Sequence, residues 1–284
     1  MSSQPRLKPS FATVLGHKIA YLDSRQGRQT LLMIHGNPVS AHVYTRLITR
    51  LQSRYRCVAP DLLGFGRSDK PSQETEYSLP GHIEIMAEFV QALDLRNVVL
   101  VAHDWGGPIG LGAALRERER YTHLVILNTL TEAPMKIRPR YLLPFHVLLR
   151  MKRVADYLVK ELNLFQRIGV AIMEAADQAV YFSANHSADT RAGIAAFPRM
   201  IPYHRAHRNY PLLRAILAGL EAWEVPALVM FSDRDSVFSA EQGERLAQRM
   251  QDARFRLVAG PRHFLQYEQP HEVALAIDNF LQER

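Results

Sequence analysis

Apolar and polar positions alternate along the chain in two distinct rhythms. Phe11–Leu15 and Lys18–Leu22 read as a β-hairpin turning at Gly16, and Leu31–Ile34 is a short unbroken apolar run closed by His35-Gly36-Asn37-Pro38. Such a run, bounded by turn residues, predicts a strand buried on both faces. A helical pattern over 41–51 follows, then a strand over 55–59, a glycine-rich loop over 61–68 and a helix over 81–93. Val98–Ala102 is a second fully apolar strand, succeeded by a helical stretch over 105–118 and a strand over 124–127. Strand signals then cease for about ninety residues, where Pro139, Pro144, Pro198, Pro202 and Pro211 punctuate helical patterns. Alternation resumes with strands over 226–231 and 255–258 and helices over 240–250 and 271–281.

Strands that alternate with helices predict a mostly parallel sheet covered on both faces, here of eight strands. The helical interruption is expected to sit as a cap over the carboxyl edge of that sheet, where open α/β sheets hold their sites. The expected division is a core of residues 1–130 and 219–284 and a cap of 131–218. Charge supports the division. The 284-residue chain has a net charge of +7, and the stretch from Glu132 to Leu220 holds thirteen Lys and Arg against six Asp and Glu, leaving 22 of each in the remainder. No apolar run approaches the roughly 18 residues of a membrane span, and the start MSSQPRLKPS has no apolar leader. The single cysteine, Cys57, falls in a strand pattern and reads as buried filler. A cytoplasmic location is the expectation.

The candidate chemistry begins where the strand over 98–102 meets its helix. Ala102-His103-Asp104-Trp105-Gly106-Gly107 has small residues on both sides of a central acidic residue, the pattern of a strained strand-to-helix elbow that presents a nucleophile. The bland alternative for Asp104 is a helix N-cap. As a nucleophile, a carboxylate needs no activating base, and attack on a saturated carbon carrying a leaving group, or on a strained ring, gives an ordinary ester. Freeing that ester requires a general base for water. His263, in Gly260-Pro261-Arg262-His263-Phe264-Leu265 after the last strand, is the candidate, and Asp235, in Ser232-Asp233-Arg234-Asp235, is its expected carboxylate partner. The order nucleophile, acid, histidine is that of the α/β-hydrolase fold. Asp233 and Glu132 are the weaker rivals for the acid. His35, beside a turn, reads as a structural hydrogen-bonder, and His186, His204 and His207 lack the partners of a metal site, so neither metal nor cofactor is expected.

With HGNP at 35–38, DLLGFGRSDKP at 61–71, AHDWGGPIGLGAA at 102–114 and HFLQ at 263–266, the chain resembles the haloalkane dehalogenases over nearly the whole core. In the cap the likeness is looser, with AFPRMIP at 196–202 the best match. The resemblance implies that Trp105 and Asn37 bind the departing halide, and that their backbone N–H groups form the oxyanion hole. Hydrogen-bond donors converging on one point would stabilise such an anion. It further implies cleavage of carbon–halogen bonds through a covalent ester on Asp104. Arg262 departs from the family, which usually has a small residue before the histidine, and Trp223 reads as packing rather than as a second halide donor. Competing readings are a β-lactone decarboxylase of long-chain olefin biosynthesis using the same aspartate, an epoxide hydrolase with two tyrosines among Tyr141, Tyr157, Tyr181, Tyr203 and Tyr210, and a non-catalytic binding scaffold. A small apolar electrophile and water are the expected partners. Nucleic acid is not, since no binding motif accompanies the charge. The basic amphipathic stretch Leu142–Ile168 reads either as an ordinary cap or as a surface meeting a membrane or partner enzyme.

Overall fold

The computed structural model describes residues 7–135 and 151–283. Eight strands form one sheet: β1 (Ser10–Val14), β2 (His17–Asp23), β3 (Thr30–Ile34), β4 (Arg56–Pro60), β5 (Val98–Asp104), β6 (Tyr121–Thr129), β7 (Ala227–Ser232) and β8 (Ala253–Val258). Their spatial order is β1-β2-β4-β3-β5-β6-β7-β8. β1 and β2 pair antiparallel, as do β2 and β4, and every later pair is parallel.

The unbroken apolar runs are explained by two cores, one on each face. In β3, Leu32 and Ile34 point into one core while Leu31 and Met33 point into the other. In β5, Val98, Leu100 and Ala102 face the first, and Val99 and Val101 the second. Each strand residue therefore needs an apolar side chain whichever way it points. Helices α1 (Thr45–Leu51), α2 (Leu79–Ala92) and α3 (Gly106–Ala114) complete the first half of the fold. Of these, α2 and α3 fill the first core and α1 the second. Every residue of α3 is buried, which is why its sequence, GGPIGLGAA, is so small.

The helix after Asp104 is shorter than the expected 105–118. The chain bends after Leu115 because Arg120 donates to the Leu95 carbonyl and pairs with Asp94 and Glu117. β8 is an edge strand with Leu257 exposed, unlike the buried strands at the centre.

Between β6 and β7 the described residues contain helices and no strand. These are α4 (Lys152–Ala155), which runs on as a π-helical turn over Asp156–Glu161, then α5 (Leu164–Gly169), α6 (Ala175–Ala184), α7 (Ala192–Ala196) and α8 (Tyr210–Glu221). The expected prolines Pro139 and Pro144, and the first part of the basic stretch, lie outside the described residues. Four of the nine described basic residues of this region are committed to hydrogen bonds or ion pairs. Lys160 and Arg199 both pair with Glu74, Lys152 and Arg199 pair with Asp156, and buried Arg191 donates to backbone carbonyls. After β7 come α9 (Ala240–Arg249), opened by a Ser239–Gln242 capping box, then α10 (Leu265–Glu268) and α11 (Pro270–Gln282). α11 joins α1 in the second core. Among the described residues no helix is long and apolar enough to cross a membrane. Cys57 is fully buried, and burial pushes its thiol up to about 12.

Candidate active site

Asp104 ends β5 with φ +51°, a left-handed conformation unusual for a residue with a side chain. Two neighbours make it possible. A Cβ on Gly36 would stand 2.0 Å from Asp104 Oδ1, and a Cβ on Gly106 would stand 2.0 Å from the Ile34 carbonyl oxygen. Glycine at both places lets three segments of backbone close around the carboxylate. Thr129, on the adjoining strand, donates its hydroxyl to the Asp104 carbonyl.

The carboxylate is nearly enclosed. Asp104 Oδ1 accepts the Asn37 backbone N–H at 2.8 Å, and the Trp105 backbone N–H also bonds to this side chain. Burial pushes the Asp104 carboxyl above the ordinary carboxylate range, against the pull of His263 and of these two N–H groups toward ionisation. Asp104 Oδ2 lies 3.7 Å from His263 Nε2, too far for a direct hydrogen bond.

On its other side, His263 Nδ1 lies 3.0 Å from Oδ2 of Asp235, whose side chain is wholly buried. A carboxylate can only accept here, so Nδ1 carries the proton and Nε2 presents a lone pair toward Asp104. Burial alone would lower the His263 pKa, but the charge and hydrogen bond of Asp235, with Asp104 adding to them, hold it above the usual 6.5. The second oxygen of Asp235 accepts the Val237 N–H at 2.7 Å, which fixes the carboxylate plane.

The rival residues are placed elsewhere. Asp233 is exposed and its Oδ1 accepts the Gly260 N–H. Glu132 accepts from Gln242 at 2.7 Å and lies near Arg245. His35 accepts the Leu62 N–H on Nε2 and meets the Gly36 carbonyl through Nδ1, and burial lowers its pKa to about 4, so it is a neutral brace. Trp223 is buried in the core, with the Arg118 guanidinium over its ring.

Asn37, Trp105, Asp104 and His263 all line one cavity of about 590 Å³ beneath the helices that follow β6. Its wall is otherwise mainly apolar, with Phe165, Ile168 and Ile172 on one side and Phe238 on the other. Trp105 packs edge-on against Phe197 at 5.2 Å. The Asn37 amide departs from the expectation in part. One N–H of the amide donates to the Ile194 carbonyl at 3.2 Å, so at most one is free toward the cavity. No tyrosine among the described residues lines the cavity. Tyr157 is exposed and Tyr181 lies buried in the second core, while Tyr141 falls outside the described residues.

Three supporting residues escaped the sequence reading. Asn128, at φ +26°, accepts the Ser232 N–H at 2.9 Å and donates to the carbonyls of Arg262 at 3.2 Å and His263 at 3.0 Å. Ser232 donates its hydroxyl to the Arg262 carbonyl, and His103 Nε2 lies 2.9 Å from the His263 carbonyl. The histidine loop is thus tied at its backbone to the ends of β5, β6 and β7. The only signal in the sequence was a polar residue ending an otherwise apolar strand.

Residues 29–270 match the family model described as the alpha/beta hydrolase fold. A cis-3-alkyl-4-alkyloxetan-2-one decarboxylase of Shewanella oneidensis is 30% identical over 97% of this chain and 89% of its own length. Haloalkane dehalogenase 1 of Mycobacterium bovis is 32% identical over 75% of this chain and 70% of its own length. Among solved structures, haloalkane dehalogenase DbeA from Bradyrhizobium elkani superposes with a TM-score of 0.88 at 21% identity, covering 98% of this chain and 100% of that one. Haloalkane dehalogenase DatA from Agrobacterium tumefaciens does so with a TM-score of 0.88 at 22% identity, covering 97% and 96%. These last two speak to the fold. Taken with the matches in sequence, they establish that the chain belongs to the haloalkane dehalogenase family of the α/β-hydrolase fold.

Proposed function

We propose that the protein is a hydrolase cleaving carbon–halogen bonds, with Asp104 as nucleophile, His263 as general base and Asp235 as the acid that orients it. The observation that carries the reading is the unequal placing of the two Asp104 oxygens. Oδ1 is held by the Asn37 backbone N–H, whereas Oδ2 is left toward His263. Oδ2 attacks the halogen-bearing carbon from behind, the carbon–oxygen bond forms, and the halide leaves with the bonding pair. Trp105 and the free N–H of Asn37 receive it. The covalent ester then takes up water. His263 Nε2 removes a proton, hydroxide adds at the carboxyl carbon, and the negative charge falls on Oδ1 between the Asn37 and Trp105 N–H groups. Collapse frees the alcohol and regenerates the carboxylate, with one proton and one halide released. Neither a metal nor a cofactor enters these steps.

A second reading is β-lactone decarboxylation with the same nucleophile. It is favoured by the reach of the decarboxylase relative, which matches 97% of the chain against 75% for the dehalogenase. An epoxide hydrolase would need acidic hydroxyls at the ring oxygen, and the cavity wall offers no described tyrosine. A non-catalytic scaffold would have no use for a buried Asp–His–Asp chain. The test is side-by-side incubation with a brominated alkane, an aryl epoxide and an alkyl β-lactone, following bromide, diol and alkene. Bromide release is the expected result. Alkene alone would replace the first reading with the second, and silence with all three would sink both.

The cap belongs to the same proposal, with its second seam at residues 209–210 rather than 218. The reason is that α8 is one continuous helix whose Ile216 and Gly219 abut Gly112 and Leu115 of the core. The pairing of Lys152, Lys160 and Arg199 with Glu74 supports a cap that part of its charge fastens to the core rather than one that meets a lipid surface. A cytoplasmic setting is supported by the lone buried Cys57.

A further inference from the structure

The cavity is polarised in a way that the chemistry at Asp104 does not require. Apart from Asn37, Asp104 and His263, its charged or hydrophilic lining residues are Arg234, Ser236 and Arg262, all on the loops that follow β7 and β8. Among the described residues, Asp104 is the only carboxylate in the wall. Of the acidic residues on or beside those loops, Asp233 and Asp235 face other partners, whereas Glu268 is ion-paired with Arg262 itself at 3.2 Å. Asp233 accepts the Gly260 N–H, and Glu268 accepts both the backbone N–H and Nε of Arg262, at 3.0 and 3.2 Å. Arg262 is therefore braced in place, its carbonyl also held by Ser232 and Asn128. Arg234 is exposed and has no carboxylate partner among the described residues.

Among the described residues, an otherwise apolar chamber with the unpaired Arg234 guanidinium on one side, beside an Arg262 already held by Glu268, matches an amphipathic ligand with an apolar chain and an anionic end. We infer that Arg234 and Arg262 anchor the carboxylate end of the substrate, so that the electrophile is a chain acid whose reactive carbon reaches Asp104. This rests on the proposed attack at Asp104 for the reactive end alone. The anion that the arginines meet has two sources, a carboxylate on the substrate or the departing halide, and the experiment separates them.

Binding of an unreactive pair, decanoate and methyl decanoate, is measured by calorimetry at low ionic strength on the whole protein, on Arg234→Gln and on Arg234→Lys. The protein prefers the acid, by about fivefold, the upper end for an exposed ion pair. Arg234→Gln brings that ratio close to one, and Arg234→Lys keeps most of it. A wild-type ratio of one, or a preference untouched by Arg234→Gln, overturns the inference. So does a change confined to inhibition by bromide, which would assign the arginines to the halide. Release of bromide from 10-bromodecanoate is scored separately. Its failure would strike the dehalogenase reading while the binding ratio still decides the anchor.

Discussion

Asn128→Ala probes how much of the site depends on one buried amide. The side chain makes its bonds where β6, β7 and the histidine loop meet. The carbonyls of Arg262 and His263 each keep a second donor after the substitution, Ser232 Oγ and His103 Nε2. The Ser232 N–H loses its acceptor. A buried donor left without a partner costs about 1–3 kcal/mol. Asn128 also sits at φ +26°, which alanine adopts at a further cost of about 1–2 kcal/mol. The expected loss is about 2–5 kcal/mol, lowering Tm by about 3–8 °C for a chain of this size. His263 also loses one of two side-chain tethers on its backbone, so hydrolysis of the ester should slow by about tenfold to a hundredfold. Alkylation, which does not use the imidazole, should slow less. Thermal unfolding gives the first quantity, and rapid-quench measurement of halide against alcohol gives the second. Asn128→Asp sharpens the argument, because an ionised carboxylate can only accept and would face two carbonyls. Its folded-state pKa must rise, so its stability relative to wild type should be best below the unfolded value of about 4 and fall as pH climbs through the folded value. Wild-type Tm and wild-type hydrolysis in Asn128→Ala, or an Asn128→Asp variant that gains stability relative to wild type as pH rises, would refute the reasoning.

Three further outcomes are expected. His263→Phe should permit alkylation of Asp104 but not its release, leaving an adduct of substrate mass on that residue by peptide mass spectrometry; an adduct elsewhere would defeat the assignment. Gly36→Ala should abolish turnover of a bromoalkane even if the chain folds, because the new Cβ would stand 2.0 Å from Asp104 Oδ1; substantial remaining turnover would mean that the elbow is differently built. His263 is held above its usual pKa in part by Asp104, and esterification removes that charge, so the imidazole pKa must fall in the intermediate. The acid limb of ester hydrolysis in single-turnover kinetics should therefore lie at lower pH than the imidazole titration of the free enzyme seen by NMR. A limb at equal or higher pH would count against the coupling.

By itself, the sequence determined what is local or periodic. Unbroken apolar runs at 31–34 and 98–102 could only be strands covered on both faces, and the elements between them followed from helical spacing and turn residues. Asp104, Asp235 and His263 were legible because each sits just past a predicted strand, so their strand ends alone placed them on one edge of the sheet. The choice of Asp235 over Asp233 rested on the same offset, and the structure brings Asp235 to the histidine. Tertiary structure decided what depends on segments far apart in the chain. It matched the Asn128 amide to carbonyls 134 and 135 residues away, which no local pattern encodes. It paired three of the cap's cations, Lys152, Lys160 and Arg199, with Glu74 and Asp156, whereas a charge count sees only an excess. It ran one helix across the expected cap boundary because Ile216 and Gly219 find their packing partners on α3 and at Leu115, not in the cap. Side-chain type fixes what a residue is able to do, but hydrogen bonds and ion pairs are claimed by whichever groups the folded chain brings within about 3 Å.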